Sequence, residues 1–133
     1  LQAGWADVNR QGGVLLLAQM SSRGNLLNPQ YTAQVVEKGK AHGGVFGFIG
    51  NGSRPDELRE LRKAVGEAKM IWTPGVNLAV GDGEMGQRYG DPAQAVNAGS
   101  DCIIVGSGIH MADNPSQQAA KYAEVSWHAL LNR

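Results

Sequence analysis

Four short segments of small and hydroxyl-bearing residues have the composition to do chemistry: Ser21-Ser22, Gly50-Asn51-Gly52-Ser53, Thr73-Pro74-Gly75 and Gly106-Ser107-Gly108. Glycine lets a backbone approach a ligand closely, and such runs offer N–H groups and hydroxyls to an anion. A phosphate suits this pattern best, above all where a helix N-terminus points inward. Ordinary tight turns use the same residues, so the pattern alone leaves both readings open. Gly106-x-Gly108 is not a dinucleotide fingerprint: Met111 occupies the third glycine position, and no acidic partner follows at the required distance. His42, His110 and His128 lack metal-ligand spacing and read as surface or helix-end residues. Asp82 and Glu84 sit in a long loop, and Glu57, Glu60 and Glu67 form a solvated helix face. Cys102 lies in the apolar run Cys102-Ile103-Ile104-Val105, where a thiol reads as a small hydrophobe rather than a nucleophile.

The elements that must position these segments repeat one pattern. Val14–Met20 is a short apolar run expected to be a buried strand, followed by helical spacing from Pro29 to His42 through Tyr31, Val35 and Val36. Asn28-Pro29 is the expected cap and first-turn pair. Val45–Ile49 is a second strand, and Arg54–Glu67 a charged helix with Leu58, Leu61 and Val65 on its apolar face. Met70–Trp72 forms a third strand, then a glycine-bearing loop runs from Val76 to Gly90 and a short helix covers Pro92–Ala98. Cys102–Val105 is the fourth strand. Asp113-Asn114-Pro115 opens a last helix carrying Ala120, Val125, Trp127 and Leu131, and residues 1–10 read as part of a preceding helix.

Apolar strands alternating with helices imply an α/β fold with a parallel sheet, whose ligands bind at the carboxyl ends of the strands. All four small-residue segments fall at such ends. About four βα units are half of the eight that close a TIM barrel. An open doubly wound sheet would use the same strands, and periodicity does not separate the two.

Composition narrows the function classes. The 133 residues are 42% hydrophobic and 18% charged, with twelve basic residues balancing twelve acidic ones. No net field draws such a chain to nucleic acid or an anionic membrane, so a charged ligand must be held locally. The single cysteine excludes an internal disulfide scaffold and fits a reducing cytoplasm. No apolar stretch reaches the roughly 18 residues of a membrane span, and the N-terminus does not read as a signal peptide. A start at Leu1 without Met is expected of a fragment or processed product.

Five segments carry a family resemblance, in order: Leu17-Ala18-Gln19-Met20-Ser21-Ser22-Arg23-Gly24, Phe46-Gly47-Phe48-Ile49, Thr73-Pro74-Gly75-Val76, Gly86-Gln87-Arg88-Tyr89 and Gly99-Ser100-Asp101-Cys102-Ile103-Ile104-Val105-Gly106. They resemble the orotidine 5′-monophosphate (OMP) decarboxylases, which make UMP in pyrimidine synthesis and in many eukaryotes form one domain of a UMP synthase. The resemblance covers essentially the whole chain. It implies residues 1–133 are the C-terminal half of a (βα)8 TIM barrel completed by an N-terminal half; separately, the open sheet edges of such a half could be covered by a second copy of the chain. It also implies a homodimer of complete enzyme and no metal or organic cofactor.

By this resemblance Ser21 hydrogen-bonds the pyrimidine edge, Pro74 lies near the ring, and Gln87 bridges base and phosphate. Tyr89 and the Gly106 N–H contact the phosphate, under a loop spanning Val76 to Gly86. The family's reaction expels CO2 to leave a vinyl carbanion, stabilised by a lysine that then donates a proton. That lysine belongs to an Asp-x-Lys-x-x-Asp network in the N-terminal half, and no such segment occurs here. No catalytic residue is therefore assigned, and the isolated chain is expected to be inactive.

A second departure is Ser107, where the family has arginine. Replacing a bidentate charged clamp by one neutral hydroxyl should weaken phosphate binding by roughly 1.5–3 kcal/mol, about ten- to a hundredfold. Arg88 is near enough in sequence to compensate. Two other readings remain: a non-catalytic phosphate-binding half-barrel that self-associates, and another phosphate-binding barrel enzyme such as a sugar-phosphate isomerase.

Overall fold

The computed structural model describes residues 12–79, 81–82 and 88–133. The expected helix at residues 1–10 lies outside them. The elements are β1 (Val14–Leu17), α1 (Pro29–Ala41), β2 (Val45–Ile49), α2 (Pro55–Val65), β3 (Met70–Thr73), β4 (Gly81–Asp82), β5 (Arg88–Tyr89), α3 (Pro92–Asn97), β6 (Cys102–Ile103), α4 (Ser107–His110) and α5 (Pro115–Leu131).

Local chemistry accounts for the helices. Asn28 caps α1 by accepting the Tyr31 N–H at 2.9 Å, Asp91 caps α3 by accepting that of Gln94 at 2.8 Å, and Asn114 caps α5 through Gln117 at 3.0 Å. Each cap is followed by a proline, whose missing N–H costs nothing at a first turn. The α2 face is buried at Leu58, Leu61 and Val65, as the spacing predicts. Two expected faces differ. On α1 Val36 and Gly39 are buried and Val35 packs partly buried against the core, but Tyr31 is exposed. On α5 the buried residues are Tyr122 and Ala129, while Trp127 and Leu131 are 60% and 64% exposed.

Strands β1, β2, β3 and β6 form one parallel sheet in that order. Each right-handed crossover adds a strand to the same edge and so puts every helix on one face, whereas a doubly wound sheet reverses its order at a switch point. The monotonic order is that of a barrel segment and shows no switch point among the described strands. β2 matches its apolar run and β3 extends one residue further, to Thr73, whereas β1 and β6 are shorter than theirs. β1 ends at Leu17 rather than Met20, because the Ala18 and Gln19 N–H groups both donate to Ile49 O and the ladder stops there. The Val76–Gly90 stretch, expected as loop, contains the short antiparallel pair β4–β5.

The helix-facing side of the sheet carries Ala18, Phe48, Ile71 and Thr73, all 0% exposed. Its other side presents Leu17, Phe46, Met70 and Ile104, 36–40% exposed. Phe46 reaches that side because the register slips opposite it, Val14 facing Val45 while Leu15 faces Gly47. Such a bulge re-aims a side chain. The ring of Phe46 meets Trp72 edge-on, centroids 6.0 Å apart.

At the N-terminal ends of the strands Arg62 acts as a tie. Its Nε and Nη2 donate to Gly99 O at 3.0 and 2.7 Å, and its Nη1 donates to Gly66 O at 2.8 Å and Lys69 O at 3.0 Å. It also pairs with Asp101, whose carboxylate accepts the Ile71 N–H at 2.8 Å. Asp101 is approached from outside by Arg133 at 3.4 Å.

Candidate functional site

The opposite, C-terminal ends of the strands are joined by neutral groups. After β1, the Gln19 Oε1 accepts the Asn51 N–H at 3.0 Å and its Nε2 donates to Glu57 O at 2.9 Å. Asn51, almost fully buried, donates from Nδ2 to Met20 O and accepts the Ser53 N–H and hydroxyl at 3.0 and 2.7 Å. Gln19 and Asn51 thus hold the β1 and β2 ends together. Sequence reasoning named Asn51 only as part of a glycine-rich run and gave neither residue this task.

Ser21 is buried at 6% exposure, and the third strand end closes against it. Gly75 adopts φ +78°, and a Cβ there would lie 2.6 Å from Ser21 Cβ and 2.8 Å from its Oγ. Only glycine permits both the turn and the approach. Pro74 stands beside it, its carbonyl accepting the Gly52 N–H at 3.0 Å, so Pro74 and Ser21 belong to one neighbourhood.

The long connection returns to the same end. Gly90 donates to Gly75 O at 2.8 Å and accepts the Asn77 N–H at 2.9 Å. This brings β5 beside the turn, and Tyr89 Oη lies 3.3 Å from Ser107 Oγ. Gly106, just before Ser107, has φ −101°, and a Cβ there would meet nothing within 4 Å. Crowding does not require glycine at Gly106, and its N–H has no partner among the described residues. Gln87 lies outside the described residues.

Two groupings result: Ser21 with Pro74 and Gly75, and Tyr89 with Gly106 and Ser107. A cavity of about 780 Å³ opens beside the first, lined by Gln19, Ser21, Arg23, Asn51, Arg54 and Arg88 among others. Pro74, Tyr89, Gly106 and Ser107 do not line it. Successive strand residues point to opposite faces, so Arg88 faces this cavity while Tyr89 faces Ser107. The expectation that Arg88 compensates at Ser107 meets this obstacle. Arg54 in the cavity wall is already paired with Glu57 at 2.5 Å.

Cys102 is half-buried in β6. Burial, and secondarily the carboxylate of Asp101, push its thiol above the ordinary value, so it is protonated at neutral pH and unsuited to nucleophilic attack.

Comparison with known proteins follows this geometry. Residues 1–122 match the family model described as Orotidine 5'-phosphate decarboxylase / HUMPS family. The orotidine 5'-phosphate decarboxylase of Emericella nidulans is 39% identical over 128 residues, covering 96% of this chain and 46% of the relative. That of Coccidioides immitis is 38% identical over 122 residues, covering 91% and 44%. Among solved structures, the orotidine 5'-phosphate decarboxylase from Pyrococcus horikoshii superposes with a TM-score of 0.70 at 30% identity, covering 92% of this chain and 54% of that one. The orotidine 5'-monophosphate decarboxylase from Sulfolobus solfataricus gives 0.72 at 25% identity, covering 96% and 54%. The chain spans about half the length of the curated relatives it matches.

Proposed function

The chain belongs to the orotidine 5'-phosphate decarboxylase / HUMPS family, and from that membership we propose that it is the pyrimidine- and phosphate-binding half of a cytoplasmic OMP decarboxylase barrel. In this reading Ser21 and Pro74 meet the base, Gln87 bridges base and phosphate, and Tyr89, Ser107 and the Gly106 N–H receive the phosphate. The lysine and aspartate groups that promote loss of CO2 and return the proton come from the N-terminal half. The completed barrel forms a homodimer and converts OMP to UMP and CO2 without metal or organic cofactor.

The observation that carries the proposal is the uncovered face of the sheet. Leu17, Phe46, Met70 and Ile104 present apolar surface where a closed barrel has packed interior. Trp72 supports it, since its buried Nε1 has no acceptor among the described residues. An acceptor from the other half would satisfy that donor. Exposed Trp127 and Leu131 on α5 fit the seam where the last helix of a barrel meets the first.

The test is complementation. The purified chain should produce no UMP from OMP, and co-expression with the N-terminal half of the Emericella nidulans relative should restore UMP formation. Turnover by the chain alone would refute the division of labour. The same uncovered face favours a second reading, in which two copies close one eight-stranded barrel through their free edges. Sedimentation separates the two, since a discrete dimer of the isolated chain supports self-pairing and a folded monomer excludes it.

A further inference from the structure

Tyr122 is remote in sequence from Tyr89, yet its hydroxyl meets both the connection that leads to Tyr89 and the turn that carries Ser107. The side chain rises from α5 and is 2% exposed. Its Oη donates to Asn77 Oδ1 at 3.0 Å and accepts the Leu78 N–H at 3.1 Å. Asn77 Oδ1 also accepts the Ala79 N–H at 3.0 Å, and the Asn77 N–H donates to Gly90 O at 2.9 Å. Gly90 directly follows Tyr89. One arm of the hydroxyl therefore braces the connection that delivers Tyr89.

The other arm braces Ser107. A Cβ on Gly108 would collide with Tyr122 Oη, and would lie 3.2 Å from its Cζ and 3.3 Å from Asn77 Nδ2. The backbone at Gly108 is thus seated directly on the Tyr122–Asn77 pair. Glycine is needed here for closeness of approach and not for backbone angle. Buried tyrosines usually find a partner for their hydroxyl. This one contacts two segments whose neighbours, Tyr89 and Ser107, lie within 3.3 Å of each other.

We propose that Tyr122 is a positioning residue: its hydroxyl sets the spacing between the Tyr89 arm and the Gly106–Gly108 turn, and so the affinity for the substrate's phosphate. This rests on the decarboxylase reading for the ligand, but not for the mechanical coupling. With Ser107 supplying no charge, the site depends on neutral hydrogen bonds, which weaken steeply with misplacement.

The experiment combines Tyr122→Phe, Gly108→Ala and the double variant in the 133-residue chain. Leu78 amide exchange is read by NMR, and UMP and inorganic phosphate affinities by calorimetry. Tyr122→Phe should speed Leu78 exchange and weaken UMP by about fivefold or more, the equivalent of one net hydrogen bond. Gly108→Ala should do both by displacing the same hydroxyl, and the double variant should be no worse than the worse single variant. Should Tyr122→Phe fail to fold, Gly108→Ala reads the contact from its other side. Additive effects on Leu78 exchange, or altered exchange with unchanged UMP affinity, would overturn the proposal. Failure of the parent chain to bind UMP would instead overturn the decarboxylase reading, leaving the exchange data to decide the coupling.

Discussion

Replacing Arg62 by methionine should destabilise the chain by about 3 kcal/mol, a large part of the 5–15 kcal/mol that holds a typical domain together. The arginine side chain is 13% exposed and serves the carbonyls of Gly66, Lys69 and Gly99 together with the carboxylate of Asp101. Breaking a buried ion pair from one side typically costs 3–5 kcal/mol. The lower end applies because Asp101 is 24% exposed and keeps the Ile71 N–H and Arg133. Methionine preserves most of the packed stem, so the loss reports on the guanidinium. Arg59 and Asp56, with side chains 52% and 96% exposed, provide the control. Arg59→Ala should cost less than about 1 kcal/mol, because exposed pairs are screened by water. In urea unfolding the Arg62→Met midpoint should fall by about 1.5 M or more, taking a slope of 1–2 kcal/mol/M for a chain this size. Equal midpoints for Arg62→Met and Arg59→Ala would refute the view that this network holds the sheet's N-terminal end.

Two further outcomes follow from the site. In the completed barrel, Ser107→Arg should tighten UMP binding about ten- to a hundredfold by restoring a charged clamp beside Tyr89, and unchanged affinity in calorimetry would show that another cation already serves the phosphate. Cys102 should alkylate with a pH midpoint above that of the urea-unfolded chain, because burial and Asp101 raise its thiol. The sign for stability is then set: the contribution is full below the unfolded thiol's range and is lost as pH rises from there through the raised native one, so unfolding midpoints should decline in alkaline buffer. A native midpoint at or below the unfolded one would contradict the burial argument.

What the sequence disclosed depends on whether a feature is local. Leu58, Leu61 and Val65 recur at helical spacing and are buried together, and the Asn28-Pro29 cap needs only neighbours in the chain. Strand order was not legible, because apolar runs carry no record of which edge each strand joins. Phe46 faces the open side of the sheet through a slip against β1, which no alternation in its own strand announces. Arg88 looked available to Ser107 by proximity in sequence. It is directed elsewhere because the expected loop contains β5, whose residues alternate in direction. The Tyr89–Ser107 approach was implied by family resemblance and not by spacing. Tyr122 illustrates the limit, since its position on α5 offers no sign that its hydroxyl meets a backbone N–H 44 residues away.

The two ends of the sheet use opposite chemistry, which bears on how the ligand is held. At the N-terminal ends, cationic side chains are consumed by structure: Arg62 and Arg133 by Asp101 and carbonyls, Lys69 by the carbonyls of His42 and Val45. At the C-terminal ends Gln19, Asn51, Asn77 and Tyr122 pin the loops without placing a formal charge beside Tyr89 and Ser107. A charged clamp tolerates displacement because Coulomb attraction falls slowly with distance, whereas a neutral hydrogen bond needs its donor within a few tenths of an ångström and well aligned. In the proposed reading, with serine at position 107, affinity for a phosphate would therefore come from rigidity of the surrounding turns. That makes the bracing residues more sensitive to substitution here than in a barrel with arginine at this position. Tyr122→Phe should accordingly weaken UMP binding less in a Ser107→Arg background than in the parent, and an equal loss in both would show that charge does not relieve the need for position.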